Sequence, residues 1–220
     1  MKWIKRLCSF IFLCVLIAGG ILTYQGYKGY REALAEKSVE EMTAEIESID
    51  NYTTLDQLPR TYIDAVLAVE DKRFYRHPGI DPAAIGRALV NDIRAGAYVE
   101  GGSTITQQLA KNQFFTQDKK IVRKISEMFM AFRIESVLDK DKILELYVNS
   151  IFFGNGYYCV ADASEGYFGK KPSEMDFDEC TLLAGIPNAP SNYNPFASPE
   201  LARQRQAQVL DKMKRAGYLD

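Results

Sequence analysis

The sequence predicts an all-α domain that follows one N-terminal membrane-spanning helix. Apolar residues recur at helical spacing through most of the 220 residues, and no stretch sustains the alternation of a half-buried strand. An uncharged run at 7–24 is long enough to cross a hydrocarbon layer about 30 Å thick. The composition, 47% hydrophobic and 25% charged, fits one globular domain with an appendage.

The apolar run predicts a single-pass anchor at the cell membrane, made of residues 1–26. Lys2, Lys5 and Arg6 precede the run, and such basic residues favour a cytoplasmic N-terminus with the following domain outside. A cleaved signal peptide is the alternative, with a weak cleavage pattern at 18–20. A retained anchor is favoured because the run continues without a clear small-residue site.

Net charge and cysteine spacing exclude two classes of function. The net charge of -2 argues against nucleic acid as a partner, since neutralising phosphates needs a basic excess. Cys8 and Cys14 lie in the apolar run, and none of the four cysteines has metal-site spacing, so no metal ligands are predicted. Cys159 and Cys180 can form a disulfide or stay as two free thiols, and the sequence leaves both open.

The anchor is followed by a change in composition and then by the main domain. Residues 27–54 are rich in Glu, Ala and Lys, which predicts a solvated juxtamembrane helix or linker. The domain itself is expected over 55–220. Its first helix, 63–69, is preceded by a capping-box-like pattern in Thr61 and Asp64.

Punctuating residues and apolar periodicity mark the later helices. Asp81 as N-cap and Pro82 in the first turn start one helix, which Gly96 ends. Helical periodicity continues in four further stretches, at 121–132, 143–147, 181–186 and after Pro199.

A glycine pair at 101–102 precedes a helix with one polar face. The glycines allow a tight turn or a close approach, and Ser103 or Thr104 then caps a helix through Lys111. Thr104, Gln108 and Lys111 share a face of this helix because they are four and three residues apart.

The next helix brings two cations beside one carboxylate. Arg123, Lys124 and Glu127 are neighbours at spacings of four and three residues. Taken alone, these residues are interpreted as a solvated face with ordinary ion pairs.

Five segments together give a more specific signal. They are 70–79 (EDKRFYRHPG), 101–108 (GGSTITQQ), 123–127 (RKISE), 143–149 (ILELYVN) and 205–210 (RQAQVL). In this order they resemble the motifs of the peptidoglycan glycosyltransferase family, glycosyltransferase family 51, which includes the glycosyltransferase domain of class A penicillin-binding proteins and the monofunctional transglycosylases. The resemblance covers about 55–213, and several long motifs in order are far more specific than one short pattern.

The resemblance implies both a fold and a reaction. The implied fold is an all-α, lysozyme-like large lobe with a smaller membrane-facing jaw lobe. The implied activity is polymerisation of lipid II into glycan strands by inverting transfer, with release of undecaprenyl diphosphate. The expected partners are lipid II, the growing glycan strand, the membrane and wall-synthesis proteins. The short chain, without room for a transpeptidase domain, resembles the monofunctional type.

The resemblance also implies roles for particular residues. Glu70 is expected to be the general base for the acceptor hydroxyl, and Glu127 to support the donor site. No cofactor is expected to be required, although Glu127 can also place a divalent cation, Mg or Mn, at the diphosphate. Diphosphate contacts are expected from Lys111, Arg123 and Lys124, and contacts to sugar or phosphate oxygens from Thr104, Gln108 and Asn112.

Several positions within the motifs keep two interpretations. Asp71 and Phe74 are candidates for substrate binding, whereas His77 is assigned first to fixing its loop. Phe114 and Phe115 are either membrane-interface residues of the jaw or core. Where the family usually has glycine, this chain has Cys159, which leaves the shape of that loop open.

A lysozyme-like lytic glycosidase is the alternative function, because that fold class also works with a glutamate beside a glycan cleft. Such an enzyme does not require the cations Lys111, Arg123 and Lys124. A non-catalytic membrane scaffold is a third possibility, against which the presence of both Glu70 and Glu127 argues.

Overall fold

The computed structural model describes residues 2–97, 101–116 and 121–219, so the outermost residues of the predicted 1–26 and 55–220 ranges lie outside it. The described residues form helices and contain no β-strand, which confirms the all-α prediction. The helices are α1 (Lys2–Glu36), α2 (Val39–Glu47), α3 (Arg60–Glu70), α4 (Pro82–Ala95), α5 (Ile105–Phe114), α6 (Ile121–Val137), α7 (Lys140–Val148), α8 (Val160–Phe168), α9 (Phe177–Gly185) and α10 (Pro199–Ala216). Short 3₁₀ turns occur at Leu55–Gln57, Phe74–Arg76, Pro172–Glu174 and Ile186–Asn188.

Helix α1 is long and apolar enough at its N-terminal end to cross a membrane. Its 35 residues make a rod about 52 Å long, of which the hydrocarbon layer needs only about 30 Å. Side chains of the apolar run are exposed, as the lipid-facing surface of an anchor must be. The remaining turns of α1 pack against α6.

The segment 27–54 is largely helical, but it is not simply solvated. In α2, Val39, Met42 and Ile46 are buried in the main core. Their spacing of three and four residues gives α2 an apolar face. The composition of the segment does not reveal this face, because glutamates are so frequent in it. Ser38 caps α2 and forms a capping box with Glu41.

The core is built around two helices that lie across the domain. Helix α3 packs on α9 and α10, and α5 packs on α6 and α7. Among the described side chains, Tyr62 of α3 and Tyr147 of α7 are the largest that are fully buried. Burial of each large apolar side chain contributes roughly 1.5–3 kcal/mol.

Most of the predicted helix ends are confirmed. Asp81 accepts hydrogen bonds from the amides of Ala83 and Ala84, at 2.9 and 3.0 Å, and so caps α4. Gly96 ends α4 with φ 62°. The capping-box prediction at Thr61 is wrong, because α3 already begins at Arg60 after a proline and Thr61 lies within its first turn.

Helix α4 lies outside the main core. Only Ala88 of this helix is buried. The face that carries Ile85, Leu89 and Ile93 is exposed, and Ile93 is 70% exposed. Helix α4 therefore presents an apolar surface to the outside of the protein.

Candidate active site

Glu70 is the last residue of α3, and the surrounding helices hold that helix end in place. The ammonium group of Lys212, in α10, donates a hydrogen bond of 2.9 Å to the carbonyl of Val69. Carbonyls in the last turn of a helix have no partner within the helix, so this bond satisfies one of them. The backbone that carries Glu70 is therefore fixed from α10.

The Glu70 carboxylate has one oxygen that is hydrogen-bonded and one that has no partner among the described residues. Oε2 accepts a hydrogen bond of 2.7 Å from Nε2 of Gln108. The hydroxyl of Tyr147 donates to Oε1 of the same glutamine at 3.3 Å, which orients the amide. Oε1 of Glu70 is buried and has no hydrogen-bond partner in the described part of the chain. This oxygen is available to accept a proton from a bound hydroxyl group.

Tyr147 remains a proton donor to this arrangement over the whole physiological range. Burial, followed by the nearby charge of Glu70, raises the pKa of Tyr147 well above its ordinary value. A neutral phenol can donate, so the order Tyr147 to Gln108 to Glu70 is fixed. The sequence interpretation missed Tyr147, although it lies inside the fourth motif, because the motif alone does not show which way the side chain points.

The loop after Glu70 is held by a buried hydrogen bond between His77 and Asp71. Nε2 of His77 lies 2.9 Å from Oδ2 of Asp71, and the amide of Ile105 donates to the same oxygen at 3.2 Å. His77 thus fixes the loop, as expected. Asp71 was a candidate for substrate binding, but its side chain is only 4% exposed and is used within the protein.

Two other predicted contact residues also point into the protein. Phe74 is 1% exposed, and the ammonium group of Lys140 lies 4.3 Å from the centre of its ring. The Thr104 hydroxyl donates to the carbonyl of Gly79 at 2.6 Å and accepts from the amide of Gln107 at 3.1 Å. Both side chains support the loop and the start of α5, because each is surrounded by protein and neither faces a cleft.

The second charged site lies in the first turns of α6. Glu127 is 1% exposed, with Nη1 of Arg123 at 2.7 Å and Nζ of Lys124 at 2.9 Å. Lys124 also donates to the Ser103 hydroxyl at 2.7 Å. The three charged residues therefore come together as their spacing predicts, in a cluster around the buried Glu127 with an excess of one positive charge.

This cluster retains unused hydrogen-bonding capacity. Arg123 and Glu127 are close, but their facing atoms lack the alignment of a hydrogen bond. Within the described ranges, Nε and Nη1 of Arg123 and Oε1 of Glu127 are buried without a hydrogen-bond partner. Buried guanidinium donors without partners are costly, so an anion that accepts from Arg123 would relieve that cost.

The stretch from Ser103 to Gln108 connects the two sites. Ser103 contacts Lys124 of the charged cluster, whereas Gln108 contacts Glu70. A step of five residues separates them, from Ser103 just before the N-cap of α5 to Gln108, the fourth residue of that helix. The other predicted contact residues on α5 lie beyond this step, with Lys111 half-buried and Asn112 exposed.

The cluster does not fit a divalent cation held by protein alone. Mg²⁺ and similar ions need several oxygen ligands, but Glu127 is a single carboxylate that two cations already neutralise. No group of three or more metal-binding side chains occurs among the residues that the structure describes.

Asn149, at the end of the fourth motif, and Gln206 of the fifth motif serve the architecture. Asn149 accepts from the amide of Thr53 at 2.9 Å and donates to its carbonyl at 2.7 Å, which ties the entering chain to α7. In the fifth motif, Gln206 donates to Thr181 at 2.9 Å and joins α10 to α9. The Gln206 contact joins the two helices on which α3 packs.

The four cysteines are free, so the disulfide alternative is not realised. Cys159 occupies the N-cap of α8, where its sulfur accepts from the amide of Asp162 at 3.4 Å. Burial raises the pKa of Cys159 to about 11. The loop before α8 therefore closes on a capping thiol at the position where the family usually has glycine.

Comparison with known proteins gives a consistent assignment. Residues 36–214 match the family model described as Transglycosylase. The chain is 42% identical over 218 residues to a Cupriavidus necator protein that carries the name "Putative transglycosylase". This match covers 98% of this chain and 93% of that protein. It is 50% identical over 168 residues to penicillin-binding protein 1A of Aquifex aeolicus, covering 76% of this chain. It is 46% identical over 166 residues to penicillin-binding protein 1F of Bacillus subtilis, again covering 76% of this chain.

The match to the two penicillin-binding proteins involves only part of their length, because the chain spans 23% of each. The match to the Cupriavidus protein extends over nearly all of both chains. The family match begins at residue 36, so it includes α2 as well as the helices that carry Glu70 and Glu127. The chain belongs to the transglycosylase family.

Proposed function

We propose that this protein is a peptidoglycan glycosyltransferase, which polymerises lipid II into glycan strands and releases undecaprenyl diphosphate. The proposal rests on one observation: the stretch from Ser103 to Gln108 contacts both Glu70 and the charged cluster of α6. Among the described residues, the buried Oε1 of Glu70 has no hydrogen-bond partner. In the charged cluster of α6, Nε and Nη1 of Arg123 also lack one, although Nη1 lies 2.7 Å from Glu127. A transfer from a lipid diphosphate needs a base for the acceptor and positive charge for the leaving group.

The reaction follows from these two sites. Oε1 of Glu70 accepts the proton of the acceptor sugar's 4-hydroxyl while Gln108 holds the other oxygen. The resulting nucleophile attacks the anomeric carbon at the lipid-linked end of the growing strand with inversion. Arg123 and Lys124 stabilise the charge that develops on the departing diphosphate, and Lys111 and Asn112 complete its contacts. Glu127 sets the position of both cations.

The mechanism requires no metal from the protein. A divalent cation, Mg or Mn, would have to be bound mainly by the oxygens of the diphosphate itself, because Glu127 is the single carboxylate of the described cluster. Arg123 and Lys124, with their excess of one positive charge over Glu127, supply part of the charge that such an ion would bring.

The proposal places the protein at the cell membrane through α1. The basic residues before the apolar run favour a cytoplasmic N-terminus and an extracytoplasmic catalytic domain. The exposed apolar face of α4 adds a second surface suited to lipid. The partners are then lipid II, the glycan strand and the membrane, together with wall-synthesis proteins.

Incubation of the purified protein with labelled lipid II in detergent tests the proposal, with Glu70→Gln alongside. We expect glycan ladders from the wild type and a loss of about 10²–10⁴ in rate for the variant, the usual contribution of a general base. Glu36→Gln is the matched control, because Glu36 also ends a helix but is exposed. Cleavage of preformed strands without consumption of lipid II would favour the lytic glycosidase, and ladders from Glu70→Gln would exclude Glu70 as the base.

A further inference from the structure

The C-terminal part of α1, around Gly26 and Gly29, lies unusually close to α6. A methyl group on Gly26 would lie 2.6 Å from Cβ of Ile125, and one on Gly29 would lie 2.8 Å from the hydroxyl of Ser126. No real Cβ sits comfortably at such distances, so glycine is required at both positions for this approach. At these two positions the backbone of α1 lies directly against side chains of α6.

The close approach is completed by a hydrogen bond and by aromatic contacts. The Ser126 hydroxyl donates to the carbonyl of Gly26 at 2.8 Å, and this serine is 2% exposed. One turn further on, the rings of Tyr27 and Tyr30 lie 5.4 and 6.0 Å from that of Phe129. These contacts fix the position of α6 along the axis of α1.

The same turns of α6 carry the charged cluster. Ser126 directly precedes Glu127 and lies between it and Arg123 in the helix. Gly26 lies two residues beyond the end of the apolar run at Tyr24, which is about 3 Å along the helix. The polar headgroup region of a bilayer is about 5–8 Å thick on each side of the hydrocarbon layer. If the apolar run ends at the edge of the hydrocarbon layer, the cluster lies level with the lipid headgroups.

We propose that Gly26, Gly29 and Ser126 are positioning residues for the transfer reaction, and the inference rests on the proposed function. Through them, the membrane anchor sets the depth of Arg123 and Glu127 relative to the bilayer. A diphosphate attached to a lipid in that bilayer has a fixed depth, so the two depths must match. A diphosphate on a soluble molecule has no such constraint.

Other glycines of α1 have no such role and provide a matched control. A methyl group on Gly19 or Gly20 would meet nothing within 4 Å. Gly20→Ala therefore makes the same chemical change in the same helix without affecting the contact with α6.

The test uses the full-length protein in lipid vesicles with two substrates. One is lipid II with its long chain embedded in the vesicle, and the other is a lipid II analogue with a short, water-soluble chain. We expect Gly29→Ala to lower the rate with the embedded substrate relative to the soluble one by about tenfold, because overpacking must displace α1 along α6. Gly20→Ala is expected to keep the wild-type ratio.

A second substitution tests whether the contact between position 29 and the Ser126 hydroxyl causes this effect. Ser126→Ala removes the hydroxyl that blocks Gly29→Ala, and its Cβ would remain 3.8 Å from the new methyl group. Ser126→Ala alone is expected to lower the ratio about threefold, since it loses one buried hydrogen bond. The double variant is expected to return from the tenfold loss to that threefold level.

The outcomes separate this inference from the proposed function. Wild-type protein that polymerises neither substrate would refute both. Active wild type, with Gly29→Ala equal to Gly20→Ala or with both substrates slowed equally, would overturn the inference alone. If Gly29→Ala melts too low to assay, Ser126→Ala provides the test instead. A wild-type ratio of the embedded-substrate rate to the soluble-substrate rate in Ser126→Ala would then overturn the inference.

Discussion

Replacing Glu127 by glutamine should destabilise the protein measurably, because it removes the counter-charge of two cations. The side chain of Glu127 is 1% exposed, whereas those of Arg123 and Lys124 are 17% and 43% exposed. Breaking a fully buried ion pair costs about 3–5 kcal/mol. Lys124 can turn towards water, so the expected loss is smaller, about 2–3 kcal/mol.

Thermal unfolding in detergent, followed by circular dichroism, measures this loss. A decrease of about 5–10 °C in melting temperature corresponds to the expected range for a protein of this size. Inorganic diphosphate should then stabilise Glu127→Gln more than the wild type, because it supplies the negative charge that the substitution removed.

Glu135→Gln is the control for this experiment. Glu135 lies on the same helix, is 10% exposed and pairs with Lys140 at 2.7 Å, yet it is outside the charged cluster. Its loss should lower the melting temperature similarly, but diphosphate should not restore it. An unchanged melting temperature for Glu127→Gln, or equal stabilisation of all three proteins by diphosphate, would refute the reasoning.

Three further predictions concern single groups. Gln108→Leu removes the hydrogen bond to Glu70 and should lower kcat for lipid II by about 10–100-fold with little change in KM; a rise in KM alone would contradict this role. The hydrogen bond from Arg73 lowers the pKa of Asp81 to about 2, from 3.8, so its stabilisation is present above pH 3.8 and is lost as pH falls towards 2. In acid unfolding, the free energy of unfolding of the wild type should fall by about 2 kcal/mol more than that of Asp81→Asn over this pH range. Parallel curves of unfolding free energy against pH for the two proteins would exclude this contribution of Asp81. Burial raises the pKa of Cys180 to about 12, so mass spectrometry should find this thiol unmodified by iodoacetamide at pH 8 until the protein unfolds; rapid native labelling would contradict the burial.

Local rules predicted those features that depend on neighbours in the chain. Asp81 and Gly96 bound α4 as expected, because capping and left-handed backbone are properties of a few adjacent residues. The approach of Arg123 and Lys124 to Glu127 likewise follows from helical spacing. The resemblance placed these residues in motifs before the structure showed their contacts.

Features that depend on distant parts of the chain could not be predicted in this way. Gln108 was expected to contact a substrate, but its amide meets Glu70 from 38 residues away. Phe74 and Thr104 looked equally available for binding, and only packing shows that both are enclosed. Periodicity reveals which face of a helix is apolar, but not which polar residue turns inward to another helix.

The packing of α3 has a consequence for when the protein becomes active during its synthesis. The helix that ends at Glu70 packs on α9 and α10, and Lys212 lies 143 residues beyond the carbonyl that it binds. At about 5–20 residues per second, the ribosome needs roughly 7–30 s to make that interval. A nascent chain already inserted through α1 therefore carries Glu70 without the helices that fix it. The arrangement of Glu70 that the proposed reaction needs is complete only after α10 has emerged and folded back.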